Sequence, residues 1–335
     1  MALVAGLVSG GFFCCHHKTS SYNLATDPFL KSQSFMKKTL LISMIDIIYV
    51  YPNVSELNRG GRGSLAARWE LANELGCDYV EMPADFIKNK TEIQLTGLDL
   101  GAFLSDDAIR LLYDTQVPIP ANTKYILHTE PSLFRTDGYG IKHQSRLRWY
   151  SKTWVEDFID MVTRISKHIG IAASVIEIHP GDRGNSYADI IEAARLLIER
   201  YDDIFSFQPT ILLENRTGQF ISTGADIATF WAAVAKSGTD IRHLFGVVLD
   251  IQQLYTATKA DFVYQFQAIP LEAIKGLHIH SKHRTPTSDD SIPWDVVFGR
   301  LTEMKGQVLI NPEIHHKKHV PNAIKFCERM MRDVR

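Results

Sequence analysis

The sequence predicts an α/β fold, a closed (β/α)8 TIM barrel, and three observations lead there. The chain has 335 residues, 45% hydrophobic and 22% charged, so it is long enough for one large core. Short β-branched runs alternate with stretches of helical periodicity, as in parallel sheets connected by helices. This alternation repeats eight times without the glycine-rich phosphate loop of a doubly wound open sheet. We therefore expect a barrel.

The strands and helices follow from the period of the apolar residues. In the fourth helix, for example, Ile190, Ala194 and Leu197 recur at spacings of four and three. The predicted strands lie at 39–50, 77–83, 124–128, 172–179, 210–214, 244–250, 274–280 and 306–311. The predicted helices lie at 64–75, 105–115, 152–169, 186–201, 225–236, 259–268, 294–304 and 317–333.

The beginning of the chain differs from the rest. Met1 to Cys15 is apolar without a basic start or a clear cleavage site, and the stretch after it is polar without a period. We expect residues 1–37 to be a disordered or artefactual N-terminal extension. A single barrel domain is then expected over residues 38–335.

Charge and cysteine content exclude several classes of protein. The net charge of −2 excludes a uniformly basic nucleic-acid-binding surface, although a local basic patch remains compatible with it. The four cysteines form neither a disulfide framework nor a paired metal motif, which indicates a reducing compartment and a cytoplasmic protein. No apolar run has the length of a membrane span, so no membrane partner is expected.

Six consecutive predicted strands end in a histidine or a carboxylate. The residues are His128, His179, Glu214, Asp250, His278 and Glu313, with His280 on the same face as His278. The C-terminal strand ends of a barrel meet on one rim, where the carboxylates would repel one another unless a cation were present. Three imidazoles and three carboxylates suit Zn²⁺, Mn²⁺ or Fe²⁺, and six ligands suit two ions with Glu214 between them.

A basic segment follows the third strand on the same rim. Between residues 135 and 152 there are five basic residues and one acidic residue. The segment also contains Tyr139, Trp149 and Tyr150, which are candidates for stacking on a base. An ordinary solvated lid is the alternative. The candidate substrate-binding residues on this rim are Arg59, Arg62, Arg135, Lys142, Arg146 and Arg148.

Several motifs resemble the xylose isomerase-like TIM barrel superfamily and, within it, the endonuclease IV type of abasic-site nuclease, AP endonuclease family 2. The resemblance covers roughly residues 40–330. It rests on the glycine-rich run Asn58–Gly63, on His179-Pro-Gly, on Glu214-Asn-Arg-Thr-Gly-Gln, on Val248-Leu-Asp and on Lys275-Gly-Leu-His. The fifth-strand motif is the most specific of these, whereas His-Pro-Gly alone is weak.

The resemblance implies a ligand set. In that family the residues that match His128, His179 and Glu214 hold one zinc, and those that match Glu214, Asp250, His278 and Glu313 hold a second. A third zinc needs a histidine where this chain has Gln253, and an Asp-x-His motif that is missing after the seventh strand. His280 or His283 with Asp289 or Asp290 would be the substitute, so two ions are expected.

Two reactions remain open at this point. The first is hydrolysis of a phosphodiester, at abasic sites in DNA or in a related phosphoester, by a hydroxide activated by two metals. The second is isomerisation or epimerisation of a small sugar, which in this superfamily needs only Glu214, Asp250, His278 and Glu313. Glu214 and Glu313 would then be the acid/base pair, and Glu81 and Trp294 would line a sugar pocket. A barrel that binds without chemistry is the third alternative.

Overall fold

A computed structural model describes residues 45–58, 63–84, 100, 113–114, 119–130, 147–238 and 240–335. These residues belong to one compact unit, Met44–Arg335. The N-terminal extension predicted over residues 1–37 lies outside the described residues. So do five of the candidate substrate-binding residues, namely Arg59, Arg62, Arg135, Lys142 and Arg146.

Eight parallel strands close into a barrel, which confirms the predicted fold. The ring closes where β1 pairs with β8 on one side, Asp46 opposite Gln307, and with β2 on the other, Val50 opposite Tyr79. The strands are β1 Asp46–Tyr51, β2 Tyr79–Pro83, β3 Tyr125–His128, β4 Val175–Ile178, β5 Thr210–Glu214, β6 Phe245–Asp250, β7 Ile274–His278 and β8 Gln307–Asn311.

Helices follow the strands and cover the outside of the barrel. They are α1 Leu65–Glu74, α2 Lys152–Ile169, α3 Tyr187–Phe205, α4 Gly224–Lys236, α5 Ile251–Thr258, α6 Phe262–Ala268, α7 Trp294–Leu301 and α8 Val320–Asp333. Short 3-10 turns occur at Ser55–Asn58, Asp240–Leu244, Lys259–Asp261, Leu271–Ala273 and Lys317–His319. No helix in the described part of the chain is both long enough and apolar enough to cross a membrane.

Two helical regions differ from the sequence-based expectation. Tyr113–Asp114, inside the helix predicted at 105–115, is extended and pairs with Gly63–Ser64. The helix predicted at 259–268 is preceded by another helix, α5, which begins immediately after β6. The cause is Asp250, whose side chain accepts a hydrogen bond from the backbone N–H of Gln253 and so caps the new helix.

Local sequence sets the ends of the longer helices. Ser186 and Asp189 form a reciprocal capping box at the start of α3, and Thr223 and Asp226 form another at the start of α4. Helix α2 ends at Gly170, whose φ of 82° is the left-handed conformation that glycine adopts without a Cβ clash. These signals explain why the predicted and observed helix starts agree here.

Close helix packing leads to the first testable prediction. A Cβ on Gly224, at the start of α4, would lie 1.7 Å from the backbone oxygen of Gln265 in α6. We expect Gly224→Ala to force the two helices apart and to lower the free energy of unfolding by about 1–3 kcal/mol. Thermal unfolding of the purified variant measures this loss.

The control for this experiment is Gly299→Ala in α7. A Cβ there meets no atom within 4 Å, so the same substitution should stabilise the helix by about 0.5–1 kcal/mol. Equal melting temperatures for the two variants would contradict the packing argument.

Candidate metal centre

The barrel interior contains two layers of side chains, one apolar and one polar. Successive residues of a strand point to opposite faces, so a residue two positions further along points inward again. The apolar layer consists of Val50, Tyr79, Ile126, Val175, Leu212, Val248 and Leu309. Two residues beyond six of these positions stand Glu81, His128, Glu177, Glu214, Asp250 and Asn311, all buried. An apolar layer therefore lies beneath a buried polar layer at the C-terminal ends of the strands.

The first group of possible ligands comprises His128, His179 and Glu214. The two imidazole Nε2 atoms are 3.2 Å apart, and they lie 3.3 Å and 3.9 Å from Oε2 of Glu214. All three side chains are buried, and their ligand atoms lie within 4.8 Å of one another. Three such atoms can converge on one cation.

The second group comprises Asp250, His278 and Glu313, and it adjoins the first. Nδ1 of His278 lies 3.4 Å from Oε2 of Glu313 and 3.6 Å from Oε2 of Glu214. The ligand atoms of the group again lie within 4.8 Å of one another. Because Oε2 of Glu214 is within 4 Å of histidines from both groups, Glu214 stands between the two.

Two motifs place these groups. In the fifth-strand motif, Asn215 exchanges two hydrogen bonds with the backbone of Asp250 and so holds the ends of β5 and β6 together. Gln219 accepts a hydrogen bond from the backbone N–H of Gly181, which follows His179. Gly181 has a φ of 74°, and a Cβ there would lie 2.3 Å from the backbone oxygen of Leu147. The glycine and the glutamine thus act together in holding His179 beside Glu214.

The residues present fit a divalent cation. Oε2 of Glu214, Oε2 of Glu313 and both ring nitrogens of His278 are buried and lack a hydrogen-bond partner among the described residues. Buried polar atoms without partners are costly, and a cation would supply a partner for the two carboxylate oxygens and for Nδ1 of His278, which faces them. The mixture of imidazole nitrogen and carboxylate oxygen is typical of Zn²⁺, Mn²⁺ or Fe²⁺ sites.

Crowded charge shifts the ionisation of the centre. Burial disfavours the imidazolium of His128, but its hydrogen bonds to Glu214 and Glu81 outweigh burial and hold the pKa well above the usual range. The pKa of His278 is also raised, since the charges of Glu177 and Glu214 outweigh burial. Burial and the nearby positive charge of His128 lower the pKa of His179. Protons on two imidazoles thus partly balance the carboxylates when no cation does.

His280 lies beside the second group in a different arrangement. Its Nδ1 accepts the backbone N–H of His283 at 3.0 Å, and its Nε2 lies 3.0 Å from Oε2 of Glu313 and 3.4 Å from Asp250. A ring nitrogen that accepts a hydrogen bond leaves the proton on the other nitrogen. Nε2 therefore faces the two carboxylates as a donor, which suits a partner of Glu313 better than a further metal ligand.

A substitute third site with Asp289 or Asp290 does not form in the described part of the chain. No group of possible ligands there includes either aspartate. Asp290 accepts hydrogen bonds from the backbone of Thr287 and from Nε1 of Trp294, which ties it to its own loop. Trp294 is buried and packs edge-on against Phe326, so it does not line a pocket.

The basic rim is described only at its end. Arg148 is half-buried, and Lys152 pairs with Glu156 at 3.8 Å on the surface of α2. The prediction that Trp149 is available for stacking on a base is wrong. Its ring is only 4% exposed, since it packs edge-on against Trp154 and Phe158, and its Nε1 donates to the backbone oxygen of His179 at 2.8 Å. Tyr150, which is 50% exposed, remains available.

The residues that end the predicted strands make up only part of the buried polar layer. The strand-end pattern does not include Glu177 and leads to a sugar-pocket role for Glu81, yet both side chains are buried directly beside the histidines. The signal was available, since Glu177 lies two residues before His179 and so on the same face of the strand. Arg216 was also missed, and its positive charge acts on His179.

Comparisons with known proteins agree with this architecture. A family model described as xylose isomerase-like TIM barrel matches residues 69–330. A search of curated proteins finds no match. Among solved structures, a D-tagatose 3-epimerase-like protein is 17% identical, with a TM-score of 0.52 over 86% of this chain and 98% of that chain.

Two further solved structures are similar at the level of the fold. An L-ribulose 3-epimerase is 13% identical, with a TM-score of 0.49 over 88% of this chain and 96% of that one. A 3-keto-D-glucoside 4-epimerase from E. coli is 12% identical, with a TM-score of 0.47 over 85% of this chain and 99% of that one. At these identities the likeness concerns the fold alone.

The position of Glu214 between the two groups leads to a prediction about metal content. We expect the purified protein to hold roughly two divalent ions per chain. The Glu214→Gln variant should lose most of the metal from both sites, because the amide removes the negative charge that the two ions share. Elemental analysis after dialysis measures the change. Glu192→Gln, the same substitution on the exposed face of α3, should retain full metal content. Full retention in Glu214→Gln would contradict the shared position.

The raised histidine pKa values lead to a prediction about pH. Because the pKa values of His128 and His278 are raised above the usual range, we expect both rings to carry an extra proton at neutral pH in the metal-free protein. Zn²⁺ then has to displace these protons. Zinc binding should release protons, and its apparent Kd should rise as the pH falls from about 8 to about 6. Isothermal titration in buffers of different ionisation enthalpy measures the release. A Kd independent of pH would count against protonated histidines in the centre.

Proposed function

We propose that this chain, which belongs to the xylose isomerase-like TIM barrel family, an enzyme superfamily, is a divalent-metal-dependent phosphodiester hydrolase. The substrate class that we propose is abasic-site DNA or a related phosphoester. The proposal concerns the reaction at the C-terminal rim of the barrel, where the two groups of possible ligands adjoin.

One observation carries the proposal, namely that His128, His179 and Glu214 converge beside the second group. Their ligand atoms lie within 4.8 Å of one another and are all buried. Isomerisation in this superfamily needs only the four residues Glu214, Asp250, His278 and Glu313. Two further buried imidazoles facing Glu214 are therefore unexplained by that reaction, whereas a second cation accounts for them.

The roles proposed for the residues follow from this geometry. His128, His179 and Glu214 would hold one ion, and Glu214, Asp250, His278 and Glu313 the other. Bound there, Zn²⁺, Mn²⁺ or Fe²⁺ ions would act as Lewis acids on a phosphoryl oxygen and lower the pKa of water. The role of the protein residues themselves would be to hold this positive charge in place. Phosphoryl transfer needs it beside the phosphate oxygens, on which negative charge increases during the reaction.

Substrate contacts would come from the same rim. Arg216 follows the shared Glu214 by two residues, is half-buried, and is near enough to His179 to influence its ionisation. A guanidinium beside the first group suits a phosphate group. Tyr150 is exposed and suits stacking on a base. Because the net charge of the chain is −2, binding to a nucleic acid would depend on basic residues near this rim and not on the whole surface.

The second candidate, a sugar isomerase or epimerase, is favoured by a different observation. Oε2 of Glu214 and Oε2 of Glu313 lie 3.6 Å and 3.4 Å from Nδ1 of His278, so two carboxylates flank one point. Removal and return of a proton at a sugar carbon needs such a base and acid. In that reaction one ion at the second group suffices, and the first group has no direct role.

This difference defines the decisive experiment. We expect metal-loaded protein to incise an abasic-site duplex. The His179→Asn substitution should lower the rate of incision at least about 100-fold, because one ion loses a ligand. A ketose panel in deuterated water, read by NMR for exchange of a C–H proton, tests the alternative in parallel. Glu192→Gln serves as the control for handling and metal loading, since it lies on an outer helix.

The two candidates give opposite patterns. Incision that His179→Asn abolishes supports the hydrolase. Absence of incision, with sugar exchange that survives in His179→Asn and fails in Glu313→Gln, would replace it with the isomerase.

A further inference from the structure

Glu81 in β2 contacts Nδ1 of His128, the ring nitrogen that points away from the first group. Its Oε1 is 2.5 Å from Nδ1 of His128, and both side chains are buried. Its Oε2 accepts hydrogen bonds from the backbone N–H of Asn53 at 2.9 Å and from Nδ2 of Asn311 at 2.8 Å. Both oxygens of the carboxylate are therefore in use inside the protein, and neither faces a substrate.

The partners of Glu81 come from separate elements and hold it in place. Asn53 follows β1, Asn311 ends β8, and Arg68 of α1 is fully buried. Arg68 donates to Oδ1 of Asn53 at 3.2 Å and lies 3.5 Å from the backbone oxygen of Glu81. A carboxylate held from three directions has little freedom, so the ring that it contacts is fixed as well.

The contact determines which nitrogen of His128 is available. An ionised carboxylate only accepts hydrogen bonds, so Nδ1 of His128 donates to Glu81. In the neutral ring the lone pair is then on Nε2. Nε2 lies 3.3 Å from Oε2 of Glu214 and 3.2 Å from Nε2 of His179, which is the first group.

Glu177 in β4 lies beside His278 as Glu81 lies beside His128, but it faces Nε2 of the ring and not Nδ1. Its Oε2 lies 3.4 Å from Nε2 of His278 and has no hydrogen-bond partner among the described residues. Nδ1 of the same ring faces Glu214 and Glu313 on the other side. The only nitrogen of His278 directed toward the second group is therefore Nδ1.

We propose that Glu81 and Glu177 are positioning residues of the metal centre, each serving one ion. Each accepts the outer N–H of one imidazole, Nδ1 of His128 and Nε2 of His278, and so presents the opposite ring nitrogen to the cation. A carboxylate behind a ligating histidine fixes its tautomer and raises its basicity. The inference rests on the metal-binding part of the proposed function and is independent of the substrate.

A role as a metal ligand fits the geometry of Glu81 less well, and a direct catalytic role fits neither carboxylate. Ligand atoms on one metal ion, each about 2.0–2.2 Å from it, stay roughly 3 Å apart or more. The 2.5 Å between Glu81 and His128 therefore leaves no room for an ion between them. A direct role in catalysis would require contact with substrate, and both carboxylates are only 1% exposed.

Metal titration with a competing chromophoric chelator tests the proposal. E81Q should weaken one of the two sites about 10–100-fold, since the neutral amide supports the ring less well. E177Q should weaken the other site by a similar factor. The two variants carry the same chemical change at similar depth, so each is the matched control for the other. Unchanged affinity in both variants would overturn the proposal.

A second background identifies which site each carboxylate serves. In H179N, where the first group has lost a ligand, E81Q should add little further weakening, whereas E177Q should still weaken the remaining site by its full factor. This is a double-mutant cycle, in which coupling marks residues that act on one site. Equal effects of E81Q with and without H179N would overturn the assignment of Glu81 to the first group.

NMR of ring nitrogens in the zinc-loaded wild-type protein provides a measurement without any carboxylate variant. With assignments from single histidine substitutions, His128 should carry its proton on Nδ1 and His278 on Nε2. The reverse tautomers would overturn the proposal even if E81Q failed to fold. A protein that binds ions with these tautomers but acts on neither DNA nor sugar would overturn the proposed reaction and support the positioning roles.

Discussion

The concentration of buried carboxylates at one end of the barrel is the constraint on which the rest of the structure depends. Glu81, Glu177, Glu214, Asp250 and Glu313 approach four histidines above the apolar layer, and all of these side chains except that of Glu313 are buried. Burying like charges together costs several kcal/mol per ion unless opposite charge is close. Imidazolium protons supply part of that charge and divalent cations supply it better, so the architecture favours metal binding before any substrate is considered.

The barrel converts this unfavourable cluster into a defined geometry. Its strands align the polar layer, while Asn215, Gln219 and the turn at Gly181 hold the strand ends that carry the histidine and carboxylates. The network of Arg68, Asn53 and Asn311 holds Glu81 in turn. Hydrogen bonds that fix a ligand before the ion arrives reduce the ordering that binding requires, which is the physical meaning of a preorganised centre.

The two candidate reactions share one half of this centre and differ in the other. Asp250, His278 and Glu313, with Glu214, can hold an ion in either reaction, whereas His128 and His179 have a ligand role only where a second ion binds. Our proposal of a hydrolase depends on that first group. The epimerase names among the similar solved structures belong to proteins of 17% identity or less, where a barrel is shared and the chemistry varies.

The sequence by itself determined the barrel, since eight alternations of apolar period leave few other ways to bury every strand, and it determined the strand-end residues that meet on one rim. Only the tertiary structure decided which neighbours each side chain has. Trp149 is buried because its ring packs against Trp154 and Phe158 of helix α2, and Asp250 starts an extra helix. Glu81 and Glu177 lie within strands. The alternation of residues along a strand shows that their side chains point into the barrel, but it does not show which histidine each one contacts. The tautomer of a histidine depends on what its other nitrogen contacts, and those contacts join residues far apart in the chain.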